Sequence, residues 1–197
     1  MRFPPRPSKK TLARFPCPPY TFRVADSLHS HKPLRCILGV DPAAAGATGF
    51  GVIESDGRRC RVLRFGALRP VAPLRGAPAT HLGEIHALVS GLIREFRPKG
   101  LAVESVFAAI NIKTALRLAE VRGVVLLAAV EAGIPSFDYS PREVKAAVAG
   151  YGQAGKQQVQ EMVRVLLGMT ETPEPADAAD ALAVALCHYY LQKLPAV

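Results

Sequence analysis

Four carboxylates stand out by their setting. Asp41 closes the short apolar run Cys36-Ile37-Leu38-Gly39-Val40, and Glu104 closes a second, Gly100-Leu101-Ala102-Val103. An apolar run ending in an acid reads as a buried strand with that acid at its carboxyl end, the edge where open α/β sheets bind ligands. Asp177 and Asp180 lie three apart at the start of an apolar segment from Ala176 to Tyr190, which puts both on one face of a helix's first turn. Each acid taken singly has a plainer reading. An acid after a strand serves as a turn former or helix cap, and Asp177 complements a helix N-terminus. Taken together they would repel one another and hold their protons, unless hard divalent cations with oxygen ligands, Mg²⁺ foremost, hold them. Two such ions, roughly 3.5 to 4 Å apart, clamp the attacking and leaving oxygens of an in-line phosphoryl displacement, so the chemistry to expect is phosphodiester hydrolysis.

Positioning those acids requires strands that deliver two of them to one sheet edge and a helix that delivers the other two. After Cys36–Asp41, strand-like runs follow at Gly49 to Glu54 and Arg61 to Leu68, separated by the turn formers Ser55-Asp56-Gly57. Three strands in succession predict an antiparallel meander. Residues 79–96 carry Leu82, Ile85, Leu88, Val89, Leu92, Ile93 and Phe96 on one helical stripe, stopped by Pro98. Gly100–Glu104 reads as a strand, Asn111 to Glu131 as a helix stopped by Gly133, and Ile134 to Tyr139 as a strand. Helices at 141–149, 154–168 and 176–191 complete the series. Strands first in a meander and then alternating with helices predict an α/β fold, a mixed sheet covered by helices. No internal repeat is present.

With 197 residues, 49% of them hydrophobic, the chain suits one domain with a proper core. Its apolar stretches are short, as at Val124 to Val130, against the roughly 18 to 20 residues of a bilayer-spanning helix, so no membrane partner is expected. Cys17, Cys36, Cys60 and Cys187 form no CxxC pair and no Cys/His cluster, which speaks against a zinc site or a disulfide framework and for a cytoplasmic location. The net charge of +9 is unevenly spread. Residues 1–35 hold eight Lys/Arg against the single acid Asp26, leaving about +2 for the other 162 residues. The same stretch holds seven of the 17 prolines. Residues 1–34 therefore read as a basic, Pro-rich, disordered extension, 35–192 as the folded domain, and 193–197 as a C-terminal tail.

Several motifs in order resemble those of RuvC-type Holliday junction resolvases. They are Ile37-Leu38-Gly39-Val40-Asp41-Pro42 with Thr48-Gly49-Phe50-Gly51-Val52-Ile53, then Val103-Glu104-Ser105-Val106-Phe107, and Ala115-Leu116-Arg117-Leu118 through Arg122-Gly123-Val124. Pro141-Arg142-Glu143-Val144-Lys145, Gly155-Lys156-Gln157-Gln158-Val159-Gln160 and Ala176-Asp177-Ala178-Ala179-Asp180-Ala181-Leu182-Ala183 follow. The resemblance covers about 36–190. It implies a ribonuclease H-like mixed five-stranded sheet flanked by helices. It also implies a homodimeric endonuclease that cuts two symmetric strands of a four-way DNA junction in recombination and repair, with two Mg²⁺ per active site, Mn²⁺ substituting, and a branch-migration motor complex as partner. By motif position Asp41, Glu104, Asp177 and Asp180 hold the metals, Lys145 and Lys156 approach the scissile phosphates, and Phe107 stacks on bases near the junction centre. Without the family, the lysines read as solvated helix ends and Phe107 as core. Arg117, Arg122, Lys145 and Lys156 would form the local DNA-binding patch that so weakly basic a domain needs.

Two features depart from the family pattern. The turn Asp41-Pro42-Ala43-Ala44-Ala45-Gly46-Ala47-Thr48 has Ala where the family has Gly and is one residue longer, with Gly46 as a shifted source of backbone freedom. The 1–34 extension reads as dispensable, a DNA-binding arm or a targeting peptide being the other readings. Two cuts from one site per chain require a two-fold dimer, whose patch is expected on the Asn111–Glu131 helix among Leu116, Val121, Val124, Val125, Leu126 and Leu127; a fully buried core helix is the alternative. Competing functions are another ribonuclease H-like nuclease acting on RNA–DNA hybrid or RNA, and a catalytically weakened junction-binding protein. An actin-like or sugar-kinase ATPase would need a second domain and phosphate loop, for which the chain lacks length and glycines.

Overall fold

Odd- and even-numbered residues of β1 (Arg35–Asp41) feed two different cores, because successive side chains of a strand point to opposite faces. The structure, a computed structural model, describes residues 35–44, 46–69, 80–105 and 111–192. The 1–34 extension, the 193–197 tail and Phe107 lie outside the described residues. β1 pairs antiparallel with β2 (Thr48–Ser55), which pairs antiparallel with β3 (Cys60–Leu68). On its other side β1 pairs parallel with β4 (Gly100–Glu104), and β4 with β5 (Ser136–Tyr139). The sheet order is β3-β2-β1-β4-β5, the mixed five-stranded arrangement expected.

One face, with Leu38, Val40, Val52, Leu101 and Val103, packs against α1 (Thr80–Phe96) and α2 (Ile112–Glu131). The other, with Ile37, Ile53 and Ala102, packs against α3 (Pro141–Ala149), α4 (Lys156–Leu166) and α5 (Ala176–Leu191). The stripe expected on α1 faces inward, with Ile85, Val89, Leu92 and Ile93 buried. Two elements differ from expectation by two residues at an end, the others by one at most. Gly155 is the N-cap of α4 and Leu167 its C-cap, with Gly168 following at φ 64°, so the helix occupies 156–166 rather than 154–168. The last strand starts at Ser136, since Pro135 has no N–H to give; its carbonyl instead accepts from Leu101 N–H at 2.9 Å. No described helix is long and apolar enough to cross a membrane.

α5 is buried nearly all round, from Ala178 to Tyr189 with only Asp180 partly exposed. It lies against β1 and β2 at backbone distance because the strands carry glycine where it crosses. A Cβ on Gly39 would overlap the Ala181 carbonyl oxygen and sit 2.8 Å from Ala185 Cβ. One on Gly49 would overlap the Asp177 carbonyl, and one on Gly51 would lie 2.6 Å from Leu182 Cδ2. Near its far end, α5 is fastened to β5 by the Tyr139 hydroxyl and His188 Nδ1, 2.7 Å apart in the core, where burial pushes the imidazole down to about 4. Gly49→Ala is therefore expected to destabilise the protein by about 2 kcal/mol or more, because backbone cannot give way as a side chain can. Gly83→Ala, on α1 with nothing within 4 Å of the added methyl, should instead stabilise by about 0.5–1 kcal/mol. Urea denaturation of both variants measures the contrast.

Candidate active site

Asp41 and Glu104 share one face of the sheet with Ile37, Gly39 and Ala102, so both point toward α5. The parallel register pairs Val40 with Val103, which brings Asp41 and Glu104 side by side at the carboxyl ends of adjacent strands. Asp41 also pairs with Gly49, the residue against which the Asp177 backbone rests, and this fixes the first turn of α5 over Asp41. Asp180 lines one cleft with Asp41, Glu104, Lys145, Lys156 and Val144. Asp177 stands close enough for its charge to act on both Asp41 and Lys156. The four acids proposed from sequence are thus gathered at one sheet edge.

The two lysines arrive on separate helices. β5 ends at Tyr139 and turns at once into α3, where Ser140 and Glu143 close a reciprocal capping box and Pro141 takes the first helical position. This delivers Lys145 to the cleft. Lys156 is the first residue of α4, where the positive end of the helix dipole opposes a cation and no acid stands in the first turn. Asp180 compensates: Lys156 Nζ donates to its Oδ2 at 2.7 Å, which raises the lysine's proton affinity. A cation held at a helix N-terminus by a single acid is placed to meet a second anion.

Burial pushes the Asp41 carboxyl up to about 8, reinforced by the charges of Glu104, Asp180 and Asp177. Glu104 is also raised, first by burial, while its hydrogen bond with Asp41 and the charges of Lys145 and Lys156 work in the opposite direction. In this arrangement, among the described residues, no three acidic, His or Cys side chains surround a common point at ligand distance. The donor set still fits a divalent cation: hard oxygens only, partly desolvated, and mutually repulsive until positive charge is supplied.

The family model for crossover junction endodeoxyribonuclease RuvC matches residues 37–188. The chain belongs to the RuvC family. A RuvC of Rubrobacter xylanophilus is 44% identical over 162 residues, covering 82% of this chain and 89% of the relative. That of Heliobacterium modesticaldum is 48% identical over 151 residues, covering 77% and 91%. Among solved structures, Thermus thermophilus RuvC in complex with a Holliday junction substrate superposes with a TM-score of 0.74 at 38% identity, covering 81% of this chain and 95% of that one. The ribonuclease H-like fold class inferred from sequence is the one observed, with RuvC proteins as its structural neighbours.

The other residues expected to meet DNA are less gathered in this RuvC chain. Arg117 is exposed on α2, outside the cleft, and Phe107 lies outside the described residues. Arg122 is engaged by Asp138 of β5 in an ion pair and is only 23% exposed, so it braces α2 against the sheet edge. Sequence reasoning missed that pairing and missed Gly39, Gly49 and Gly51 as docking sites. The signal for the glycines was present: several inside one pair of strands, matched to the small residues Ala181 and Ala185 one helical turn apart. In the longer turn after Asp41, Ala43 N–H donates to the buried Thr48 Oγ1 at 3.4 Å, which ties the two ends of the turn together.

The raised Asp41 has a measurable consequence. Its folded value exceeds the ordinary 3.8, so the stability it contributes is present at low pH and is lost as pH rises toward about 8. His188 acts in the opposite sense, but only below its ordinary 6.5. Between pH 6.5 and 8, chelated protein should lose about 2 kcal/mol through Asp41, at 1.36 kcal/mol per unit. Chemical denaturation at the two pH values should show that loss, with Asp41→Asn or saturating Mg²⁺ abolishing it.

Proposed function

We propose that this RuvC family member resolves four-way DNA junctions by metal-dependent hydrolysis of paired phosphodiesters, with Asp41, Glu104, Asp177 and Asp180 holding two Mg²⁺ ions, for which Mn²⁺ substitutes. The observation that carries the reading is the meeting of these acids with Lys145 and Lys156 at one sheet edge. When bound, the cations neutralise the scissile phosphate and raise the acidity of the attacking water. Asp41 and Glu104 supply oxygens from the strand ends. Asp180 supplies another from α5. Lys156 then exchanges Asp180 for a phosphate oxygen, and Lys145 faces the same charge from α3, both offsetting the negative charge that builds on the phosphate. Phe107 offers a base-stacking face, Arg117 and Arg122 extend the DNA contact along α2, and a branch-migration motor presents the junction. Residues 35–192 suffice for this nuclease activity, the 1–34 extension being dispensable for cutting.

The enzyme acts as a homodimer through α2. Ile112, Leu116, Leu127 and Val130 are 80%, 61%, 49% and 72% exposed, and Ala119 and Gly123, also exposed, complete a single stripe with them. Val121 and Val125, expected in this patch from sequence, are instead buried beneath it in the core, and Val124 and Leu126 are half-buried. The helix is apolar on two sides because one covers the sheet and the other is left for a two-fold partner.

A synthetic immobile four-way junction tests the activity: paired, symmetric, Mg²⁺-dependent nicks are expected, and cutting of an RNA–DNA hybrid alone would overturn the reading. Asp180→Asn should reduce cleavage at least a hundredfold while junction binding persists, since binding rests on phosphate contacts. Leu116→Glu with Leu127→Glu should yield a folded monomer by light scattering that no longer makes coordinated cuts.

A further inference from the structure

We propose that Arg142 is a further substrate-binding residue, holding the phosphate next to the scissile one, and that Gly152 sets its side chain for that contact. The proposal rests on the reading of Lys145 as a contact of the scissile phosphate. Pro141, Val144 and Lys145 line the catalytic cleft from α3. Arg142 stands about 60° round the same helix from Lys145, at 3.6 residues per turn, so it flanks the cleft. Positions three apart on a helix are neighbours, with Cβ atoms about 5–6 Å apart. A strand that lays one phosphate against Lys145 therefore brings an adjacent phosphate within reach of Arg142. The arginine is exposed, and it takes part in no ion pair among the described residues. Its neighbour Glu143 is engaged by Ser140 in the capping box, and Lys156 is engaged by Asp180.

The way its stem is held separates Arg142 from a freely solvated arginine. The chain between α3 and α4 doubles back onto the first turn of α3. A Cβ on Gly152 would lie 2.4 Å from Arg142 Cγ, 3.1 Å from its Nε and 3.2 Å from its carbonyl oxygen. Only a residue without a side chain lets the backbone rest on the arginine stem in this rotamer. That backbone is itself fixed at three points. Gly150 closes α3 at φ 87°, its N–H donating to the Ala146 carbonyl. The Tyr151 hydroxyl donates to Gln158 Oε1 at 2.7 Å, which fastens the loop to α4, and Ala154 is buried in the core. An arginine already seated loses less rotamer freedom on binding, and its planar guanidinium can meet two phosphate oxygens at once. The cleft gives such a contact its value. Four acids against two lysines repel an incoming strand until cations are bound, and Arg142 adds positive charge at the flank without being drawn onto those acids.

Binding and cleavage of a synthetic four-way junction by the full-length protein test the proposal. Arg142→Met keeps the stem and removes the charge. It should raise KM, and the Kd measured in chelator, about tenfold, and lessen the slope of log Kd against log salt by about one, the share of a single phosphate. Its kcat in Mg²⁺ should stay within about twofold of wild type, because the contact is made equally in ground and transition states. Arg142→Lys should recover the slope and most of the affinity. Gly152→Ala should weaken binding by displacing the stem, and should add nothing when combined with Arg142→Met. Wild-type Kd and slope in Arg142→Met, weakened binding with an unchanged slope, or a fall in kcat at constant KM would each overturn the phosphate contact. Additive effects of Gly152→Ala and Arg142→Met would overturn the part given to the glycine. Failure of the underlying reading shows separately: Lys145→Ala with undiminished kcat would remove the scissile-phosphate contact itself, whatever Arg142 does.

Discussion

The approach of α5 to β1 and β2 at backbone distance is the constraint on which the site depends. Helix and sheet ordinarily keep side chains between them, and here Gly39, Gly49 and Gly51 remove those side chains along the line of crossing. Only at that separation does the first turn of α5 lie over the end of β1, with the Asp177 backbone on Gly49 and Asp180 in the cleft with Asp41. A helix displaced outward by one methyl layer would carry its carboxylates away from those of the strands. Two acids on strands and two on a helix meet because steric volume was removed elsewhere.

The same closeness is electrostatically costly. Burial at this edge, with the charges of the neighbouring acids, raises both Asp41 and Glu104 above their ordinary range. Two lysines from α3 and α4 partly offset the repulsion, one of them at a helix end that disfavours it. Folding energy from the two cores maintains this arrangement, in keeping with the general opposition between stability and catalytic placement. That pattern of charge is what supports the proposed binding of metal and phosphate there.

Much of this was legible in the residue order. Apolar runs ending in Asp41 and Glu104 are a strand signal and a site signal at once, and the 3.6-residue stripe of α1 showed which face it buries. The Asp177/Asp180 spacing identified a helix face. Less legible was anything that depends on tertiary approach. Nothing in the residue order announced that β5 brings Asp138 beside Arg122, and Val121 looked like interface until α2 settled with that side inward. An amphipathic pattern with apolar residues on two sides does not say which side meets the sheet; that is decided by α1, the even-numbered residues of β1 and the odd-numbered residues of β4. Helix ends shifted by one or two residues for a similar reason, since the glycines at 155 and 168 can each cap a helix or continue it, and the packing of their neighbours decides between the two.

The Lys156–Asp180 pair joins two parts of the molecule that should open at different rates. Asp180 sits on a helix buried on nearly all sides, held along its length by both central strands, so its amides should exchange with solvent only through global unfolding. Lys156 sits on an 11-residue helix anchored by Val159 and Val163, and Lys145 on a 9-residue helix anchored by Val144 and Val148, segments that local fluctuations can release. Warming such a protein would unseat the lysines while the carboxylates stay in place, leaving a protein that binds metal but handles phosphate poorly. Its thermal limit as an enzyme would then be set by two short helices rather than by its core.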